Sequence, residues 1–163
     1  MEKENQKTNQ KKMEHDGSPY KRFLFMLATS FIIMYGIMFL NVDEANHIYL
    51  STTRAYMAIL MVSAMAITML LMMGKMYQNK TLNRVIFGSS FLVFVVALTC
   101  LRQQIFVGDV QYMKAMIPHH SSAILTSENA NIKDPEVRKL ANGIIEAQKK
   151  EIAEMKAILA RMK

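Results

Sequence analysis

The sequence has 163 residues, 52% of them hydrophobic and 20% charged, with a formal net charge of +7. Length alone allows one modest domain, or a very small domain with an appendage. Residues 23–42, 55–74 and 85–101 contain no Asp, Glu, Lys or Arg. A chain this short has no core large enough to hide all three runs, so a plain soluble domain is excluded.

Roughly 20 apolar residues in a helix cross a ~30 Å hydrocarbon layer. Three spans are therefore expected, over about 23–40, 55–74 and 85–101. A cleaved signal peptide is the rival reading of the first. A 22-residue polar leader and no small-x-small site before Asn41 argue against it. Orientation follows the basic residues of the short loops. The leader has six (Lys3, Lys7, Lys11, Lys12, Lys21, Arg22), the segment 41–54 has one, and the second loop has three (Lys75, Lys80, Arg84). The leader and second loop are thus expected in the cytoplasm, with 41–54 and everything after Leu101 on the other side.

Three domains result: a disordered basic leader over 1–22, a three-helix membrane domain over 23–101, and an extracytoplasmic domain over 102–163. The leader is rich in Lys, Asn, Gln and Glu and lacks apolar periodicity. Nucleic acid is not an expected partner. Nine of the 20 basic residues serve topology, and 102–163 carries ten basic against seven acidic residues, an ordinary solvated surface. One cysteine, Cys100, cannot form an internal disulfide.

The tail reads as an antiparallel helical hairpin. A first helix starts at Gly108-Asp109 with Asp109 as N-cap, and Val110, Met113, Ile117, His120, Ile124 and Ser127 share one face. Pro118 implies a kink just before His119 and His120. Asn129 to Lys133 is turn-like. Asp134-Pro135-Glu136 then signals a strong helix start, with an N-cap carboxylate and proline at the first helical position. The inner stripe of this second helix is Val137, Leu140, Ala141, Ile144, Gln148, Glu151, Ile152, Met155, Leu159 and Met162. About 55 residues bury little surface alone, so pairing of two chains into a four-helix bundle is the natural completion, although the membrane section is a rival cover for the same face.

The chemistry lies in Met113-Lys-Ala-Met116-Ile-Pro-His119-His120. Helical spacing puts Met116 one turn before both histidines and Met113 one turn before Met116. Thioether sulfur with imidazole nitrogen suits soft ions, above all Cu(I) and Ag(I). Hard ions want clustered carboxylates, and this segment has none. Met155 of the facing helix is a further candidate ligand. Gln148 and Glu151 are candidate supports that would fix the tautomer of a ligating histidine. The competing reading is plain: methionine at core spacing usually fills gaps, and a His-His pair is usually surface or a satisfied core group.

Met116-Ile-Pro-His119-His120, then Ala123-Ile124, Asp134-Pro135-Glu136, Leu140-Ala141, Ile144-Ile145, Gln148, Glu151-Ile152 and Met155, closely resembles the family called domain of unknown function 305. The resemblance spans roughly 109–159 and implies a ferritin-like helical fold in an exported protein that binds copper or silver. It implies that Met116, His119, His120 and Met155 belong to the site, supported by Gln148 and Glu151. Many members carry another methionine six residues after the second histidine, where this chain has Thr126, which implies a site with fewer sulfurs.

Seven methionines in or just after the second span (Met57, Met61, Met65, Met69, Met72, Met73, Met76) fall on one ridge. Packing is the simpler reading, with Ala58, Ser63, Ala64 and Ala66 marking close helix contacts on other sides. A thioether ladder for copper transport is the rival. His47, Asp43, Met57 and Cys100 near the outer rim form a possible secondary, weaker metal station. The leading expectation is an integral, homo-oligomeric Cu(I)/Ag(I)-binding protein of copper homeostasis, not an enzyme. It is expected in a bacterial inner membrane with its C-terminal domain in the periplasm. A purely structural oligomerisation module is the remaining alternative.

Overall fold

The computed structural model describes residues 2–73 and 76–162, with side chains from residue 19 onward. Residue 74, expected to close the second span, and Lys75 of the second loop lie outside the described residues. Among those described, the fold is all-helical: α1 (Glu2–Ile37), a 3₁₀ turn (Ala45–His47), α2 (Thr52–Met72), α3 (Lys80–Gln103), α4 (Asp109–Asn129) and α5 (Pro135–Arg161).

Three segments are long and apolar enough to cross a membrane: Pro19–Ile37, Thr52–Met72 and Lys80–Gln103. Their 19, 21 and 24 residues give lengths of about 28, 32 and 36 Å, matched to a bilayer core. The second and third begin a few residues before the expected starts, because polar and basic side chains such as Thr52, Lys80 and Arg84 are tolerated at a span's wet end. The first ends early. Residues 38–41 leave the helix in a turn, where Phe39 N–H donates to the Gly36 carbonyl at 3.0 Å.

The leader corrects an expectation. Backbone 2–18 continues α1 as helix, where composition points to disorder. Lys, Glu and Gln are good helix formers, and a helix nucleated by the apolar run extends at little further cost.

The chain divides into two compact units, Met1–Met34 with Met57–Arg102, and Tyr35–Tyr56 with Gln103–Lys163. The loop between the first two spans therefore clusters with the hairpin and not with the span domain that sequence assigns it to.

In the span unit, Tyr20, Phe23, Ala66, Leu70 and Tyr77 form a buried cluster. The Tyr77 ring lies 5.4 Å from those of both Tyr20 and Phe23. The Tyr20 hydroxyl donates to Asn83 Oδ1 at 2.8 Å and accepts from the Asn79 N–H at 3.1 Å. Asn79 Oδ1 accepts from the Thr81 and Leu82 N–H groups at 3.1 and 3.0 Å, capping α3. On α2, Ala58, Ser63, Ala66 and Leu70 are buried, a largely small-residue face suited to close helix approach. Ala64, grouped with them from sequence, is exposed. Of the methionine ridge, Met57, Met61, Met72, Met73 and Met76 are exposed, while Met69 packs on the Tyr77 cluster. The ridge lies mostly on the outside of this unit.

In the second unit, α4 and α5 share one core of Met113, Ile117, Ile124, Ile152 and Leu159, with Tyr49, Val110, Ile145 and Met155 packed against it. α5 starts as its sequence predicts: Asp134 is the N-cap, accepting from the N–H groups of Glu136 at 2.9 Å and Val137 at 3.0 Å, with Pro135 following. α4 does not. Its N-cap is Gly108, and Asp109 is the first helical residue, where its charge still favours the positive helix end. α4 stays one helix through Pro118. Arg138 closes the hairpin, donating to the Ser127 and Ala130 carbonyls at 3.4 and 3.1 Å, which lack intrahelical partners at the end of α4.

Candidate metal centre

The buried face of α4 is Met113, Ile117, Ser121 and Ile124, with Pro118 beside it. Sequence periodicity puts His120 on this face; the structure puts Ser121 there and His120 on the flank. The four residues recur at steps of four, four and three, an equally helical stripe, and apolar weighting alone cannot choose between a serine and a histidine at the middle position. α5 needs a similar correction. Ala141, Ile152 and Leu159 are buried, but Val137, Leu140, Ile144, Glu151 and Met162 of the expected inner stripe are exposed. One facing helix covers only a narrow stripe, and the expected stripe is wider than that.

The flank is where the metal candidates gather. Met116 is half-buried, and its carbonyl accepts from His120 Nδ1 at 2.9 Å. That bond orients the ring and places His120 Nε2 2.7 Å from Glu151 Oε2 across the helix pair. The His120 side chain is only 12% exposed, against 51% for Glu151. Nδ1 donates to the carbonyl, and Nε2 meets a carboxylate, which only accepts, so Nε2 can take an ion only by giving up its hydrogen bond to Glu151. Glu151 thus bonds one ring nitrogen of His120, and the other is held by the Met116 carbonyl, a backbone group that no side-chain motif reveals.

The other residues divide. His119 is exposed, its ring centroid 6.1 Å from that of His120 in an edge arrangement. Gln148 is half-buried on α5, one turn before Glu151. Met113 and Met155 belong to the apolar core, Met113 within it and Met155 at its border, the gap-filling role open to any methionine. Met162 and Thr126 are exposed. Among the described residues, no three His, Cys, Asp or Glu side chains converge as a metal cluster.

The rim residues do not form one group within either unit. Met57 and Cys100 belong to the span unit, and Asp43 and His47 to the hairpin unit. His47 has another partner, which sequence reading missed. It is buried, with Nδ1 2.9 Å from the Oγ of fully buried Ser121. Ser121 Oγ also accepts from the Asp43 N–H at 2.7 Å. The one buried hydroxyl therefore serves two groups of the first loop, the Asp43 N–H and the His47 ring. Asn41 Nδ2 donates to Ser122 Oγ at 2.8 Å, and Lys156 Nζ donates to Asn46 Oδ1 at 2.7 Å. Four residues of the first loop thus clasp both helices of the hairpin. A serine at the centre of an apolar stripe is the signal that a polar partner must exist; its sequence distance, 74 residues, hides which one.

Burial lowers the His47 pKa from its ordinary value, and the Lys156 charge lowers it further, opposed by Glu44 and Asp43. The folded state thus binds this proton less readily than the unfolded chain. Its contribution is complete above the unfolded value of about 6.5 and is lost as pH falls from there through the lower folded value. The hairpin is expected to melt at lower temperature at pH 5 than at pH 7.5, and a His47→Gln variant to lose most of that difference. Circular dichroism melts at both pH values check this.

The fold and site define a helical protein with three segments long and apolar enough to cross a membrane and a C-terminal two-helix domain. The chain belongs to the family described as domain of unknown function (DUF305), whose model matches residues 108–163. It is 35% identical over 143 residues to an uncharacterized protein, L153, of Acanthamoeba polyphaga mimivirus, covering 86% of this chain and 92% of that one. This likeness extends far beyond the hairpin, into the spans. No solved structure matches the chain.

Proposed function

We propose that the protein is a membrane-anchored binder of soft cations, Cu(I) and Ag(I), serving copper homeostasis or tolerance, and that its role is binding and not catalysis. One observation carries the reading. His120 is held by the Met116 carbonyl with Nε2 turned to Glu151, beside a half-buried thioether one turn away. An imidazole nitrogen and a thioether on one helix flank are a soft donor pair, and a carbonyl-held Nδ1 is the support a ligating histidine commonly has. His119, Met155 and Met113 are the further donors of the proposal, and Gln148 an outer partner. The family resemblance noted from sequence points to the same ions.

The alternation of basic loops supports a cytoplasmic leader and an extracytoplasmic hairpin, on a bacterial inner membrane. The exposed apolar row Val137, Leu140, Ile144 and Met162 on α5 supports pairing with a second copy, which would complete a ferritin-like four-helix bundle. Copper passage along α2 is the alternative; with most of its methionines exposed, it needs the ridges of two copies to face each other.

Silver titration of the full chain in detergent, followed calorimetrically, tests the proposal. The native chain is expected to bind Ag(I), and a Met116→Ala/His119→Ala/His120→Ala variant to lose that binding while keeping its helicity. Undiminished binding by the variant removes the hairpin site.

A further inference from the structure

The segment joining the first two spans has an inverted polarity. Over 47–51 its residues alternate: His47 and Ser51 are buried, Tyr49 packs on the hairpin core, and Ile48 and Leu50 are 47% and 66% exposed. Ile48 is extended, at φ −79° and ψ 107°, so successive side chains point to opposite sides. Three polar side chains of this segment, Asn41, Asn46 and His47, reach the hairpin, as does the backbone N–H of Asp43, while Glu44 stays exposed and bonds Asn46 within the loop. Three large aliphatic ones, Leu40, Ile48 and Leu50, are left outside, with Leu40 79% exposed, while Phe39 is buried under Arg54. A loop facing water has the opposite arrangement.

A second connection shows the same feature. Phe106, between α3 and α4, is 85% exposed. It and Gln104 have positive φ, 60° and 51°, a conformation unfavourable for bulky non-glycine residues. The backbone is thus strained where it presents an aromatic ring outward. The Tyr56 hydroxyl fixes this turn, donating to the Ile105 carbonyl at 2.7 Å.

Continuity along the chain identifies the cover. Leu40 follows α1 by three residues, Leu50 precedes α2 by two, and Phe106 follows α3 by three. Each apolar side chain therefore stands where a membrane-crossing segment meets its interface. Tyr35 and Tyr56, with hydroxyls bonded to the Ser51 and Ile105 carbonyls, are the amphipathic aromatics that favour that level. We infer that Leu40, Ile48, Leu50 and Phe106 form a lipid-facing collar that inserts into the boundary between headgroups and acyl chains, while the opposite side of the same loop clasps the hairpin. The occupant is the bilayer; the proposal is independent of metal binding.

The chain contains no tryptophan, so single replacements report on their own positions. The full chain carrying Leu50→Trp, Ile48→Trp or Phe106→Trp, each replacing an exposed side chain, is reconstituted in phosphatidylcholine vesicles, with Lys150→Trp, on the side of α5 away from its apolar row, as reference. Collar tryptophans are expected to emit at shorter wavelength and to lose emission when the lipids are brominated near the headgroup end of their acyl chains, while the α5 reference keeps its emission. Collar emission unaffected by brominated lipid and quenched by aqueous iodide as strongly as the reference overturns the inference. So does emission that ignores the lipid bromine and responds only to the protein-to-lipid ratio, since a second copy is then the cover.

Discussion

Ser121→Val is expected to destabilise the hairpin unit by about 3 kcal/mol, because two buried polar groups each lose a partner at ~1–3 kcal/mol apiece. Valine has one γ atom more than serine, so no cavity opens and any crowding only adds to the cost, while the His47 ring and the Asp43 N–H both lose the Ser121 hydroxyl. Neither has water to turn to, since Ser121 is fully buried. Amide exchange along α4 measures the effect, with the largest loss of protection expected around residues 117–124. A double variant, Ser121→Val with His47→Leu, should recover part of the loss, because replacing both partners with apolar groups removes the orphaned imidazole. If the single variant exchanges like the native chain, the clasp contributes nothing to the fold.

Ile117→Ala is expected to cost about 2–5 kcal/mol, the range for emptying a fully enclosed aliphatic site. Ile117 is one of the few fully buried large side chains and sits among Met113, Ile124, Ile152 and Leu159. A two-helix core has few layers, so a cavity there is not shared out among distant neighbours. Leu140→Ala is the informative contrast. Leu140 is 65% exposed, and its loss in a lone chain should change stability by less than ~0.5 kcal/mol. If α5 pairs with a second copy, the same substitution instead weakens association, visible as a melting temperature that depends on protein concentration. The pair of variants separates the intrachain core from the proposed interface.

The two halves of the metal candidate differ in what they demand of the fold. Met113 and Met155 pack in the core whether or not an ion binds. His120 and Glu151 meet across the helix pair, a contact that spends the imidazole nitrogen on a carboxylate until an ion competes for it. Of the donors, His120 alone is both held in place and turned toward the opposite helix, and it is the residue whose loss should weaken silver binding most.

Sequence alone determined the helical class, the three span-length segments and the start of α5. Each is a local or compositional signal: a bilayer's thickness fixes the length of a charge-free run, and Asp134-Pro135-Glu136 writes its own cap. It also determined the motif that carries the family resemblance, because Met116, His119 and His120 lie within one helical turn of each other. Tertiary structure decided which of two equally periodic stripes is buried, putting Ser121 inside and His120 on the flank. It decided that the first loop belongs with the hairpin, through His47 and Ser121, and that the Met116 carbonyl and Glu151 hold opposite sides of the His120 ring. Those outcomes depend on hydrogen bonds between groups remote in sequence or on the backbone, and neither leaves a periodic trace in the order of side chains.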